Sequence, residues 1–112
     1  MQQVVDLPKN KEFQRLGVQL LSISPDSIPD WKKQVSELHI DTPVLSDAGN
    51  RVAGMYDVMQ WRMGSEPGHT FVLIDEQGRV SWVRDYGGAE HGMVMYVAPD
   101  KLVPEIRAHL RT

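Results

Sequence analysis

The chain opens with a helical pattern of apolar positions that a glycine closes. Good helix formers over residues 2–16 separate the apolar residues Val5, Phe13 and Leu16. Pro8 falls inside this pattern, and because proline lacks an N–H donor and clashes with the preceding turn, we expect the helix to start or kink there. Gly17 follows where a glycine commonly ends a helix.

A strand and a second amphipathic helix come next. The near-continuous apolar run Val18–Ser24 predicts a strand buried on both faces. Asp26 or Ser27 can cap the following helix, and Pro29 suits its first turn. Four apolar positions share one face of that helix, with Trp31 expected in the core: Ile28, Trp31, Val35 and Leu38.

Three further strands are predicted after this helix. They cover Thr42–Leu45, His69–Ile74 and Arg79–Asp85, and the last two are joined by a turn at residues 75–78 that makes them a hairpin. A short helix is predicted over residues 50–56, between the strand Thr42–Leu45 and an irregular segment, Gln60–Gly68.

The chain ends in a Gly- and Met-rich loop, Gly87–Val97, and a terminal helix opened by Pro99. Pro104 is expected to bend this helix or delay its start. Its predicted buried stripe is Leu102, Val103, Ile106 and Leu110. This order of elements predicts an α/β fold in which helices cover a mixed β-sheet, in one domain over residues 1–112.

Composition excludes several classes of function. The 112 residues are 41% hydrophobic and 24% charged with a net charge of −3, an ordinary globular mix. Basic residues are scattered, which argues against nucleic acid and anionic membrane surfaces as partners. No apolar run reaches the length of a membrane span or a signal peptide, so we expect a cytoplasmic protein. There is no cysteine, hence no disulfide and no thiolate nucleophile.

Three sequence motifs resemble those of a known family and occur in the same order as in that family. LSISPDS, TPVLSDAGNRVAGMYDV and HTFVLIDEQGRVSWV resemble segments of the peroxiredoxins (AhpC/TSA, redoxin) of the thioredoxin-like superfamily. The likeness extends over about residues 14–110. It implies a thioredoxin-like fold, a thiol oxidoreductase that reduces peroxides, and a thiol reductant protein as partner if this is part of a longer enzyme.

The resemblance also implies what this chain lacks. Peroxiredoxins carry a strand and the catalytic cysteine ahead of the first helix, and that strand lies centrally, between the strands resembling Val18–Ser24 and His69–Ile74. We therefore expect the chain to be inactive by itself; the alternative is a non-catalytic thioredoxin-like binding or assembly module. The gap in the sheet could close by direct pairing of its flanking strands, by an extended Met1–Leu7, or by a second chain in a homodimer or strand-swapped assembly.

The candidate site residues precede the predicted hairpin. By resemblance, His69 takes the position of an arginine that lowers the pKa of the peroxiredoxin cysteine, and Pro67 and Gly68 lie near the cis-proline position of thioredoxins. His69 is thus a candidate rim residue of a redox site; the plainer interpretation is a strand-end histidine bonded to backbone or water.

Other candidate chemistry is weaker. Trp61, Arg62 and Glu66 could form a binding rim, or cap the core and lie in solvent. His91, Met93 and Met95 form a soft ligand set that Cu(I) would accept, although methionine more often fills gaps in a core. Hydrolase, phosphate-loop and paired-histidine metal motifs are absent, and no metal or cofactor is predicted.

Overall fold

A computed structural model describes residues 1–110, so the last two residues of the predicted domain, 111–112, lie outside it. The described residues form five α-helices and four β-strands. In chain order these are α1 (Gln2–Lys9), α2 (Lys11–Arg15), β1 (Ser22–Ser24), α3 (Ile28–Leu38), β2 (Val44–Ser46), α4 (Arg51–Met55), β3 (Thr70–Ile74), β4 (Val80–Asp85) and α5 (Pro99–His109). Short 3₁₀ turns lie at Ala48–Asn50, Val58–Trp61 and Ala89–His91.

We expected the N-terminal helical pattern to start or kink at Pro8, but it is divided at Asn10. Pro8 is accommodated in the last turn of α1. Asn10 is extended, and its side-chain oxygen accepts a hydrogen bond from the Phe13 amide (2.9 Å), which caps α2. Gly17 ends the helical region with a φ of 69°, a conformation that costs a glycine little.

Helix α3 begins as its sequence predicts. The Ser27 hydroxyl accepts a hydrogen bond from the Asp30 amide (3.2 Å), and a proline occupies the first turn. Trp31 is buried, which confirms the prediction for it, although its indole N–H has no hydrogen-bond partner. The rest of the predicted apolar face is poorly covered, because Ile28 is 61% exposed.

The strands form two separate pairs. β1 and β2 are parallel, with Ser22 opposite Val44, whereas β3 and β4 form the predicted antiparallel hairpin, with Leu73 opposite Trp82. No ladder within residues 1–110 joins the two pairs. The predicted first strand is shorter than expected, since only Ser22–Ser24 of Val18–Ser24 is paired.

This arrangement contradicts two of the three expected ways to close the sheet. β1 and β3 do not pair directly, and Met1–Leu7 is not extended because residues from Gln2 onward form α1. Hydrogen bonds from Ser22 N to Pro43 O and from Asp47 N to Ser24 O turn alternate groups of β1 toward β2. The backbone N–H and C=O of Ile23 therefore point to the open edge.

The core lies between the N-terminal helices, the hairpin and α5. Its buried members are Leu7, Phe13, Leu73, Tyr86, Val97, Leu102, Val103 and Ile106. Three of the four residues of the predicted terminal stripe are in this set, and Leu110 packs against it. Pro104 neither delays the start of α5 nor ends it, since the helix runs from Pro99 to His109. None of the helices within residues 1–110 has the length and apolar character needed to cross a bilayer.

Candidate functional site

Two of the predicted rim residues line a small cavity at the C-terminal end of β1. The segment that precedes β3 faces the C-terminal end of β1 across a space of about 110 Å³. The cavity is lined by Ile23, Ser24, Pro25, Asp26, Glu66, Pro67 and Gly68. Two of the three predicted rim residues, Pro67 and Gly68, thus contribute to this surface.

His69 is held by a side chain from α1. Its Nε2 lies 2.9 Å from Gln3 Oε1, which also accepts a hydrogen bond from the Val97 amide (2.7 Å). Since this oxygen only accepts, Nε2 carries the proton and donates it. Burial lowers the pKa of His69, the positive N-terminus lowers it further, and Asp85 opposes both. His69 is therefore a neutral histidine at the start of β3 whose Nε2 bonds to a side chain.

Glycines bring three segments of the site into backbone contact. A Cβ on Gly87 would lie 2.2 Å from the His69 nitrogen, and one on Gly68 would lie 2.7 Å from the Trp61 carbonyl oxygen. A Cβ on Gly88 would meet the Trp61 side chain at 3.2 Å. The Trp61 backbone, the rim segment Pro67–His69 and the Gly87–Gly88 pair are consequently packed as closely as backbones allow.

The buried side chain of Asp85 connects neighbouring parts of the site through hydrogen bonds. Its side chain is 0% exposed, and its oxygens accept hydrogen bonds from Thr70 Oγ1 (2.6 Å), the Gly88 amide (2.8 Å) and His91 Nδ1 (2.6 Å). Burial by itself would raise the pKa of Asp85, but the three donors outweigh it and the pKa is lowered. Asp85 is thus a buried, ionised carboxylate at the end of β4.

His91 belongs to the same cluster, which the sequence did not predict. Its ring lies 5.8 Å from the Trp61 ring, and its side chain is 37% exposed. Met93 and Met95, expected as possible co-ligands, are exposed, and residues 1–110 contain no group of three or more His, Cys, Asp or Glu side chains that could hold a metal. The available sequence signal was an aspartate that ends a strand, then Gly-Gly, then a histidine six residues on.

The predicted binding rim is only partly assembled. Trp61 is half-buried against the glycine-rich backbone of the site. Arg62 and Glu66 are exposed and form no ion pair within the described chain, and reciprocal backbone bonds between Met63 and Glu66 make the intervening residues a tight turn. The structure thus exposes both charged side chains and does not bring them together.

Comparisons with known proteins agree on one family. A family model described as the AhpC/TSA family matches residues 2–83. The chain is 32% identical to peroxiredoxin 2 of Thermoplasma acidophilum over 82 residues, and 39% identical to the selenocysteine-containing peroxiredoxin PrxU of Peptoclostridium acidaminophilum over 77 residues. The alignments include 68% and 62% of this chain but only 41% and 37% of those relatives, so the chain matches about two fifths of their length.

A solved structure shares the fold. The peroxidoxin BcpB from Mycobacterium tuberculosis superposes with a TM-score of 0.68 at 24% identity, over 98% of this chain and 69% of that one. This likeness confirms the thioredoxin-like α/β fold expected from the sequence.

Proposed function

The chain belongs to the AhpC/TSA family, and from that premise we propose that it is a peroxiredoxin-like thiol oxidoreductase domain that needs a thiol from outside its own sequence. Peroxide reduction begins with attack of a thiolate on a peroxide oxygen, and the sequence contains no cysteine. Methionine can be oxidised, but only stoichiometrically in the presence of thiol reductants. The isolated chain is therefore inactive under this proposal.

The observation that carries the proposal is the cavity between the end of β1 and the rim segment Pro67–His69. In an α/β sheet, ligands bind beyond the strand ends. A thiol presented here would lie beside Pro67 and Gly68, and Gly68 in turn packs against the Trp61 backbone. A partner thiol reductant and a cytoplasmic location belong to the same proposal.

The two open strand edges supply a place for a further strand. Ile23 on β1 turns its backbone groups away from β2, and the hydrogen bond from Tyr86 N to His69 O likewise turns those of Val72 away from β4. We propose that a strand from another polypeptide segment, or from a second copy of this chain, pairs with these edges and completes the domain.

A second function is favoured by an uncovered apolar surface. Leu21, Ile23 and Leu45 are 53%, 41% and 46% exposed, and Ile23 lies opposite Leu45 in the β1–β2 ladder, on one face of it. Such a face suits a non-catalytic binding or assembly module, which would use the same edges without any redox chemistry.

The discriminating experiment adds a strand with and without a thiol. The pure chain, with peroxide, thioredoxin, thioredoxin reductase and NADPH, is expected to show no catalytic NADPH consumption. Adding a peptide that carries a peroxiredoxin strand and its peroxidatic cysteine is expected to start turnover, whereas the same peptide with serine in place of cysteine is not. Turnover by the chain alone would refute the proposal, and a cysteine peptide that binds without turnover would favour the binding module.

A further inference from the structure

We propose that Asp85 and His91 form a proton-accepting pair for a thiol group placed against Trp61. The inference rests on the proposed thiol chemistry, and it assigns that chemistry a base within this chain. Neither residue was predicted from the sequence as part of the redox site. The arrangement has three parts: an oriented imidazole, an open nitrogen on it, and a neighbouring aromatic surface.

The orientation of His91 follows from the carboxylate beneath it. Asp85 is ionised and can only accept hydrogen bonds, so the 2.6 Å contact with His91 Nδ1 requires the proton to lie on Nδ1. In the neutral ring Nε2 then holds a free lone pair. A carboxylate that fixes one imidazole nitrogen and leaves the other as a base is a recurring device of acid–base catalysis.

The carboxylate itself is firmly held. Thr70 and the Gly88 amide donate to it as well as His91, and its side chain has no exposed surface. The side chain of His91, in contrast, is 37% exposed. The pair thus couples a buried, fixed negative charge to an accessible base.

The position of His91 connects this base to the candidate site. Its ring is 5.8 Å from the Trp61 ring, and the backbone of Trp61 contacts Gly68, which lines the cavity at the end of β1. A thiol placed against the face of Trp61 that neighbours His91 would therefore lie close to the His91 ring.

The proposed step is a single proton transfer. The S–H bond of the thiol breaks, an Nε2–H bond forms on His91, and the electron pair stays on sulfur as a thiolate. The resulting imidazolium is stabilised by Asp85, which remains ionised throughout. No oxidant or reductant takes part in this step.

The absence of cysteine makes the chain a clean background for a reporter thiol. Trp61→Cys places a thiol on the carbon beside Gly88, in place of the ring that neighbours His91, and Gln77→Cys, in the exposed turn of the hairpin, is the reference. Near pH 7 the Trp61→Cys thiol is expected to react with iodoacetamide roughly 5-fold faster than the reference thiol, because a neighbouring imidazolium increases the thiolate fraction.

Second-site variants identify the base. Adding His91→Gln or Asp85→Asn to Trp61→Cys is expected to remove the rate advantage, whereas adding His39→Gln, at an exposed histidine just after α3, is expected to preserve it. An unchanged rate in the His91→Gln double variant would overturn the proposal. Since the assay contains no peroxide, a fast reporter thiol together with a failed peptide assay would refute the proposed function and retain the pair.

A measurement on the unmodified chain protects the test against misfolding of the Trp61→Cys variant. Long-range ¹H–¹⁵N correlation spectra are expected to show neutral His91 as the Nδ1–H tautomer, and Asp85→Asn is expected to abolish this preference. Observation of the Nε2–H tautomer in the unmodified chain would refute the proposal, because Nε2 could then accept no proton.

Discussion

At the scale of single residues, burial and hydrogen bonding keep His69 neutral and Asp85 negatively charged. His69 is kept neutral by its half-buried position and by its bond to Gln3, whereas Asp85 is kept ionised by three donors in an even less accessible position. Burial disfavours charge in both groups, so the donors decide the outcome. The rim segment therefore lies above a fixed negative charge and contains no positive one.

This difference predicts how stability depends on pH. The pKa of His69 is lowered from 6.5 in the folded chain, so as pH falls through about 6.5 the unfolded chain binds a proton that the folded chain does not. The free energy of unfolding is therefore expected to decrease from pH 7.5 to about pH 5.5, and to decrease less in His69→Asn. Urea titrations at several pH values measure it.

His39→Asn is the matched control for that prediction. His39 is exposed and has a φ of 54°, a left-handed conformation that asparagine tolerates. The control is expected to keep the pH dependence of the unmodified chain. Equal slopes for His69→Asn and the unmodified chain would show that His69 stays protonated or accessible in the folded state.

Backbone contact at the site predicts a large effect of one methyl group. In Gly87→Ala the added carbon would meet the His69 nitrogen at 2.2 Å, and backbone atoms cannot move aside as a flexible side chain can. We expect a loss of at least about 1–3 kcal/mol of unfolding free energy, or failure to fold. Gly54→Ala in α4 meets nothing within 4 Å and is expected to be neutral or to stabilise by up to about 1 kcal/mol. Similar stabilities for the two variants would contradict the close packing.

At the scale of elements, each strand has one paired and one open edge. Backbone groups of Phe71 and Leu73 point toward β4, and those of Thr70 and Val72 point away from it. In β1 the same alternation separates Ser24 from Ile23. The open edges therefore expose donors and acceptors that a further strand could use.

Hydrogen exchange can detect this alternation. In the isolated chain the amides of Phe71 and Leu73 are expected to be strongly protected, and that of Val72 is expected to exchange much faster. Addition of the strand peptide described above should protect Val72 and Ile23 selectively. A protected Val72 amide in the isolated, monomeric chain would mean that the sheet is already closed.

Local signals in the sequence predicted the elements that local contacts determine. Ser27 as the cap of α3, Gly17 as a helix end and Trp31 as a buried residue all follow from neighbours within one or two turns. The break at Asn10 was missed because its side chain forms a cap that competes with helix continuation through Pro8. β1 is short because pairing depends on a neighbouring strand, which is a tertiary condition.

The candidate site was less predictable for the same reason. Pro67 and Gly68 lie at the cavity, but Asp85 meets His91 only because the Gly87–Gly88 backbone folds against Trp61 and the rim segment. No periodicity of apolar residues encodes that contact. The resemblance to a family indicated the candidate segment Pro67–His69, and the contact between Asp85 and His91 became visible only in the structure.

At the scale of the whole molecule, the N-terminal helices, the hairpin and α5 share one core, while β1 and β2 keep an uncovered aliphatic face. The open edges of β1 and β3 carry backbone donors and acceptors that the described chain leaves unpaired, and a second copy could pair with them. We predict a dimer or larger assembly at high concentration, which light scattering over a dilution series can measure. A cooperatively folded monomer throughout the series would contradict this.

A pair of charge substitutions locates the contact surface. Ile23→Lys places a charge on the aliphatic face of β1 and is expected to shift the equilibrium toward monomer. Met55→Lys, at a methionine that is 76% exposed at the end of α4, is expected to leave the assembly unchanged. Equal effects of the two substitutions would place the contact surface elsewhere.

The bond between Gln3 and Val97 has a consequence for the order in which the molecule assembles. It joins residues 94 positions apart, and the same Gln3 side chain orients His69. Closing so long a loop is slow compared with forming the hairpin, whose strands are adjacent in sequence. The bond from His69 to Gln3 itself joins residues 66 positions apart, so it is expected to form after the hairpin, and the imidazole resonances of His69 would report that later step of refolding.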